Sequence, residues 1–257
     1  MKITFTKYSA NGNDFILIDE KDLLDFRGCL HELAKKICNR RFHVGADGLL
    51  VKYQSNDVDF SLEIYNSDGS IAEMCGNGSR CALLHHSHHN FGKIFKFRVW
   101  ENEYSGKVNQ NHVSIQFPRP EMPKKCKIPN YGDTFLAYPN VRHLIVPVAS
   151  IDEIDFESKA RILRHHKIFG NEGTNVNFVE FKNGRIKARV FERGIEGETL
   201  CCTSGSVAIG VTVAEFFGWK SPITIEFPGG ELEIKIKKDT ISVSGLIQKI
   251  FQGEFDE

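Results

Sequence analysis

The chain has 257 residues and a formal charge of zero, with 33 Lys and Arg against 33 Asp and Glu. A soluble chain of this length buries roughly 70 to 75% of its unfolded surface, so a large core is expected. The charge balance argues against a nucleic acid or an anionic membrane held by bulk charge and points to a small, locally bound ligand. No apolar run approaches the roughly 18 residues of a membrane span. Lys2, Lys7 and Asp14 interrupt the start where a signal peptide needs an apolar stretch, so a cytoplasmic protein is expected. The seven cysteines are an odd number without a CxxC pair, which disfavours structural zinc and a disulfide framework and leaves reactive or buried thiols.

Alternating apolar residues predict strands at 3–6, 15–19, 58–65, 94–99 and 113–117. Helical spacing appears at 30–40, through Leu30, Leu33, Ala34 and Ile37, and again after Gly78, through Cys81 to Leu84. Pro118, Pro120, Pro123 and Pro129 mark the expected domain boundary, giving domains 1–117 and 118–246 with the tail 247–257 returning to the first. Beyond it, strands are predicted at 143–148, 176–180, 186–192, 223–227, 232–236 and 240–243, with a long apolar helix over 204–217 stopped by Gly218. Each half runs through several strands to a cysteine, a glycine within three residues, and an apolar helix. A duplicated α/β plan follows, each domain a mixed or antiparallel sheet wrapped around a central helix.

Cys75-Gly-Asn-Gly78 places a thiol directly ahead of a helix, and Cys201-Cys202-Thr-Ser-Gly205 does so again in the second half. A helix N-terminus attracts anions and stabilises a thiolate. Two such thiols aimed at one carboxylate-bearing carbon are fitted to take a proton from one face and return one to the other, which is stereoinversion. The run His85 to His89 and the pair His165-His166 read as solvated helix ends without a carboxylate partner for a metal. Asn11-Gly-Asn-Asp lacks a phosphate-loop pattern.

Ser9-Ala-Asn-Gly-Asn13-Asp-Phe, Arg41-Phe-His-Val-Gly-Ala-Asp47-Gly, Asn66-x-Asp-Gly-Ser, Cys75-Gly-Asn-Gly-x-Arg80, Gly173-Thr-Asn-Val-Asn-Phe178, Glu192-Arg-Gly, Glu198-Thr-Leu-x-Cys202 and Phe227-Pro-Gly-Gly-Glu-Leu occur in this order. The set resembles the diaminopimelate epimerase family over nearly the whole chain. The resemblance implies a cofactor-independent epimerase that interconverts LL- and meso-2,6-diaminopimelate, built as two pseudo-symmetric domains with the active site in the cleft between them. It also implies a possible homodimer, with no nucleic-acid or membrane partner and no metal.

Carried over by motif, the resemblance makes Cys75 and Cys202 the catalytic thiols, one a thiolate base and the other a thiol acid. The backbone at Gly76, Asn77, Thr203 and Ser204 then holds the reacting α-carboxylate. Asn66, Asn175 and Arg193 read the far carboxylate, Glu192 receives amino groups, Asn13 falls on a substrate-binding position, and His143 supports the site. Four features depart from the family pattern, the least consequential being Gly48, where some relatives carry Gln. Thr203 stands where the family has glycine, and its Cβ is expected to crowd the loop. Val141 and Arg142 replace an amide contact and a proline, with altered specificity or a new charge expected. One extra residue between Glu192 and Glu198 leaves Cys201 or Cys202 at the thiol position, and counting back from the helix start selects Cys202. The alternatives are a related racemase with a different substrate and a non-catalytic binding protein on the same fold.

Overall fold

A computed structural model describes residues 2–88, 90–182 and 184–256. The chain divides into two compact units, Met1–Gln116 with Gly245–Glu257, and Phe117–Ser244. Among the described residues no helix is long and apolar enough to cross a membrane.

In the first unit, β1 (Lys2–Ala10) and β2 (Asn13–Asp19) form a hairpin, α1 (Leu30–Ile37) crosses to β3 (Gly48–Tyr53), and β4 (Phe60–Asn66) follows. The helix α2 (Gly76–Ser87) crosses to β5 (Ile94–Val99), β6 (Asn102–Asn109) and β7 (His112–Pro118). These strands neighbour one another in chain order. The last segment of β16 (Thr240–Asp256) returns antiparallel to β1, from Lys2↔Asp256 to Ala10↔Ile247. The Ile247 amide donates to the Asn111 carbonyl, so the strands close around α2. The hairpin turn is Asn11-Gly12, both residues with positive φ (52° and 86°), the conformation that two-residue turns between twisted strands require.

The second unit repeats the plan. After β8 (Lys124–Lys127) and β9 (Asp133–Ala137), β10 (His143–Val148) leads through α3 (Phe156–Arg164) to β11 (Asn175–Lys182) and β12 (Arg185–Glu192). The short β13 (Gly197–Thr199) precedes α4 (Thr203–Phe217), then β14 (Ile223–Phe227) and β15 (Gly230–Ile236). The strand order is β15-β14-β12-β11-β10-β9-β8. In both units the helix crossovers join parallel strands (β2/β3, β4/β5, β10/β11, β12/β14), because a parallel pair needs a long connection.

Each unit has a helix on both sides of its sheet. In β10, Leu144 and Val146 pack with Phe156, Ala160 and Leu163 of α3, while Ile145 joins the cluster around Val207 and Ala208 of α4. In β2, Ile16 and Ile18 pack with Leu33 and Ile37 of α1, and Phe15 and Leu50 lie against Gly78 of α2. Strands covered on both faces read as continuous apolar runs. A central helix enclosed by strands is apolar all round, as in Val207 to Val213 of α4, nearly all buried.

The expected helix over 30–40 ends earlier, at Ile37, because the Asn39 side chain accepts the amides of Arg41 and Phe42 and turns the chain. The histidine run is not a solvated helix end. His85 bonds Tyr8 and Asp19, and His86 packs on Phe60 and Phe95; His89 lies outside the described residues.

Candidate active site

Cys75 and Cys202 occupy the same local position in their units. Cys75 caps α2 with φ −136° and ψ 111°, and Cys202 caps α4 with φ −132° and ψ 117°. Each Sγ accepts from the amide three residues on, Gly78 at 3.5 Å and Gly205 at 3.4 Å. A thiol in the N-cap position takes the place of the usual Ser or Asp oxygen and meets the positive end of the helix dipole. Cys202, not Cys201, holds this position; Cys201 is buried in the apolar cluster around α4. Thr203 opens α4, and its carbonyl accepts from Ser206 Oγ at 2.6 Å.

The strand registers bring further expected residues to the same end of each unit. In the first, Phe15 of β2 pairs with Gly48 of β3, which pairs with Asn66 at the end of β4. Asn13 therefore begins its strand at the edge where Asn66 ends and α2 starts. The Asn66 side chain donates to Ser70 Oγ at 2.9 Å.

The Asn77 side chain turns inward. It donates to Asn13 Oδ1 (3.1 Å) and accepts from Arg80 (2.6 Å), a fully buried arginine that also donates to Asn11. Asn13 in turn donates to Asp47 (2.8 Å), which with Asp14 receives Arg40. The Lys7 and Arg40 bonds outweigh burial and hold the Asp14 carboxyl down at about 2. Asp47 and Arg80 lie inside the motifs read from the sequence, but spacing gave them no role.

In the second unit, His143 at the start of β10 pairs with Asn175 at the start of β11, and Val176 pairs with Phe191, which places Glu192 beside them at the end of β12. Asn175 is fully engaged inside the unit. Its Oδ1 accepts the Arg193 amide at 2.7 Å, and its Nδ2 donates to the Arg142 carbonyl at 3.2 Å. The Glu192 carboxylate accepts from Thr199 at 2.5 Å and lies in hydrogen-bond reach of the Cys202 thiol. Burial pushes the Glu192 carboxyl upward, opposed by those two bonds. Burial and the Glu192 charge drive the Cys202 thiol well above its ordinary value, while Ser204 and the Gly205 amide pull the other way.

Arg142 does not bring a free charge to the site. Its guanidinium donates to the carbonyls of Phe169 (2.7 Å) and Gly173 (3.2 Å) and to the Tyr138 hydroxyl (3.1 Å). It thus ties down the loop that leads into Asn175, a rigidifying task that proline performs differently. The Arg193 guanidinium is exposed, with Glu172 at 3.5 Å.

The family model described as diaminopimelate epimerase matches residues 5–111 and 135–248. The chain belongs to the diaminopimelate epimerase family. It is 36% identical to the diaminopimelate epimerase of Archaeoglobus fulgidus, over 98% of this chain and 96% of that one. Against the enzyme of that name from Aquifex aeolicus it is 35% identical over 98% of both. Among solved structures, the fold matches a phenazine biosynthesis protein of the PhzF family from Enterococcus faecalis (TM-score 0.78, 11% identity, all of both chains). It also matches a hydroxyproline epimerase from Agrobacterium vitis with bound trans-4-hydroxy-L-proline (TM-score 0.66, 12% identity, 98% of this chain and 92% of that one). At these identities the structural matches speak for the fold alone.

Two predictions arise from this geometry. A Cβ at Gly205 would lie 2.7 Å from Asn177 Oδ1 and 3.2 Å from Cys202 Cβ. Gly205→Ala is therefore expected to destabilise the protein by about 1–3 kcal/mol, read as a lower urea midpoint at unchanged slope; an unchanged midpoint would contradict the packing around Cys202.

The second concerns acid. Burial pushes His143 down to about 3 from its ordinary 6.5, and burial pushes His86 down to about 4. Both are neutral in the folded state while the unfolded chain takes up protons near 6.5. Their contribution is complete above that pH and is lost as the pH falls toward 4 and then 3. The fully buried His143 gives a slope of up to about 1.4 kcal/mol per pH unit. Urea midpoints measured from neutral pH downward should fall through this window, and His143→Gln should flatten the decline.

Proposed function

We propose that this chain interconverts LL- and meso-2,6-diaminopimelate by proton exchange between Cys75 and Cys202, without a cofactor. The observation that carries the reading is the pair of N-cap thiols with matched backbone geometry, each accepting a backbone amide at the head of a central helix. In one direction the thiolate takes the α-proton; the Cα–H bond breaks and its electron pair stays on carbon. The other thiol gives its proton to the opposite face and becomes the thiolate. Proton exchange with solvent resets the pair. The buried Cys202, beside the Glu192 carboxylate, is held as the thiol in the resting state, so Cys75 acts as base in the direction that starts from it.

The α-carboxylate is bound at the helix N-termini, through the backbone of Gly76 and Asn77 and of Thr203 and Ser204. Fixed dipoles there stabilise the carbanion without an electron sink. Arg193, with Asn66, reads the far carboxylate, and Asn175 holds the Arg193 amide in place for it; Asn13 keeps the Asn77 segment in place, and His143 supports the Cys202 side. Glu192 serves the substrate's amino groups from beside Cys202. A reducing cytoplasm suits a reaction that needs both thiols free. The test is to incubate the purified, reduced protein with LL-diaminopimelate and separate stereoisomers with time. Accumulation of the meso form to a fixed ratio, reached also from pure meso substrate, is expected; no interconversion rejects the proposal.

A further inference from the structure

The side chains behind Cys202 form a hydrogen-bonded row whose direction is set from its far end. Asn177, fully buried on β11, points its Nδ2 at the Leu144 carbonyl (3.0 Å) and at His143 Nδ1 (3.1 Å). A carbonyl only accepts, so the amide nitrogen must face it; the opposite amide orientation would set two oxygens together. His143 Nδ1 is therefore an acceptor, and the single proton of this imidazole sits on Nε2. Burial keeps the ring neutral, pushing it to about 3. Nε2 lies 3.0 Å from Ser204 Oγ, so the Nε2–H occupies one lone pair of that hydroxyl. Asn175 Nδ2 also lies 3.3 Å from that nitrogen, but a protonated Nε2 cannot accept from it, and the Arg142 carbonyl at 3.2 Å is its acceptor. The hydroxyl hydrogen of Ser204 then has Cys202 Sγ, 3.3 Å away, as its acceptor.

We propose that the Ser204 hydroxyl is a dedicated donor to the Cys202 thiolate, with His143 as the positioning residue that fixes the direction of donation. This deepens the two-thiol reading and rests on it. Cys202 must be a thiol in one direction of the reaction and a thiolate in the other. Burial and the neighbouring Glu192 both oppose the thiolate, and Cys201 adds to that opposition. Arg193 acts on His143 and reinforces its neutral form. The Ser204 hydroxyl and the Gly205 amide are the groups that favour the thiolate, and only the hydroxyl can turn away when Cys202 is protonated and donating to Glu192. Ser204 thereby serves both protonation states at no cost to either.

The experiment is the pH profile of kcat/KM in both directions for the full-length protein and for Ser204→Ala and Ser204→Thr. The falling alkaline limb reports loss of the remaining thiol proton, which belongs chiefly to Cys202. Without its donor the thiolate is less favoured, so in Ser204→Ala this limb should move up by about one pH unit while the rising limb stays. kcat/KM should fall by roughly tenfold, equally in both directions because their ratio is the equilibrium constant. Ser204→Thr, which keeps the hydroxyl, should restore both. His143→Gln should shift the limb in the same sense, and add nothing in the Ser204→Ala background.

Ultraviolet thiolate titration, taken as the difference between each protein and its Cys202→Ala version, reads the same shift without turnover. A parent inactive on diaminopimelate would reject the substrate reading while this titration still decides the role of Ser204. An alkaline limb and a Cys202 titration both unmoved in Ser204→Ala would overturn the inference, whatever happens to the rate.

Discussion

Cys75→Ala and Cys202→Ala should each abolish epimerisation, whereas Cys201→Ala should keep substantial activity. Inversion needs an acceptor and a donor on opposite faces of one carbon, so losing either thiol leaves half a mechanism. Groups that act as a unit are non-additive, and the double variant should be no worse than either single one. Each single loss is expected to be on the order of 10⁴-fold or more in kcat, the scale at which removal of one member disables such a unit. Both cysteines lie among the buried residues around α4, but of the two it is Cys202 that receives the Gly205 amide and meets Glu192 and Ser204.

A finer observable separates the two thiols. With substrate in deuterated water, the parent incorporates solvent deuterium at the inverted centre. A variant lacking the donor but keeping the base should exchange the α-proton without inversion, from one stereoisomer only. Loss of activity on Cys201→Ala with retention on Cys202→Ala would reverse the assignment and require a different start for α4.

Much of the fold was legible because the apolar patterns had the right period. The strands at 15–19, 94–99, 143–148 and 223–227 and the helix before Gly218 lie close to where those patterns fall. What escaped has physical causes. β3 carries Leu49-Leu50-Val51 without alternation because both of its faces are covered, and a short continuous run does not distinguish a strand from a helix. In α3, Phe156, Ala160 and Leu163 have helical spacing, but charged residues between them and Pro147 and Gly170 around them resemble a loop. β16 continues to Asp256 because its second half pairs with β1 while keeping exposed side chains, so its order comes from partners distant in sequence. The proline-bearing stretch from Pro118 includes β8 and lies within the second unit, since proline is tolerated along sheet edges.

The site was legible as a set of letters but not as a set of contacts. Cys75 and Cys202 stand out because a thiol before a glycine-bearing helix start has local meaning. By contrast, Asn175 looks like a ligand in sequence, yet its side chain bonds within its own unit, to Arg193 and Arg142, and the side chain of Asn77, whose backbone carried the expectation, turns to Asn13 and Arg80. Asn177, which sets the tautomer of His143, is one letter in a quoted motif, and its task depends on the Leu144 carbonyl across a strand pair. Arg142 appeared as an intrusive charge because composition cannot say that three oxygens wait for it.

Substrate choice should turn on Arg193. Its amide is fixed by Asn175 Oδ1 at 2.7 Å, and its exposed guanidinium lies 3.5 Å from the exposed Glu172, so the head is held at its base and adjustable at its tip. A bidentate guanidinium suits a carboxylate at the far end of a long substrate. Arg193→Met keeps the length of the side chain's apolar stem and removes the charge, leaving that carboxylate unpaired. Truncating one partner of a buried charge pair costs about 2–5 kcal/mol, so kcat/KM for diaminopimelate should fall by roughly 30-fold to several thousandfold. Alanine has no far carboxylate, so it should be a poor substrate of the parent and scarcely poorer for the variant. Glutamate, with a far carboxylate but no far ammonium, should lie between them and lose part of what diaminopimelate loses. The kcat/KM values for the three substrates in both proteins are therefore the measurement. If the parent prefers alanine or glutamate, or if Arg193→Met leaves diaminopimelate turnover unchanged, the far end is not read by this guanidinium and the substrate belongs to a shorter class of amino acid.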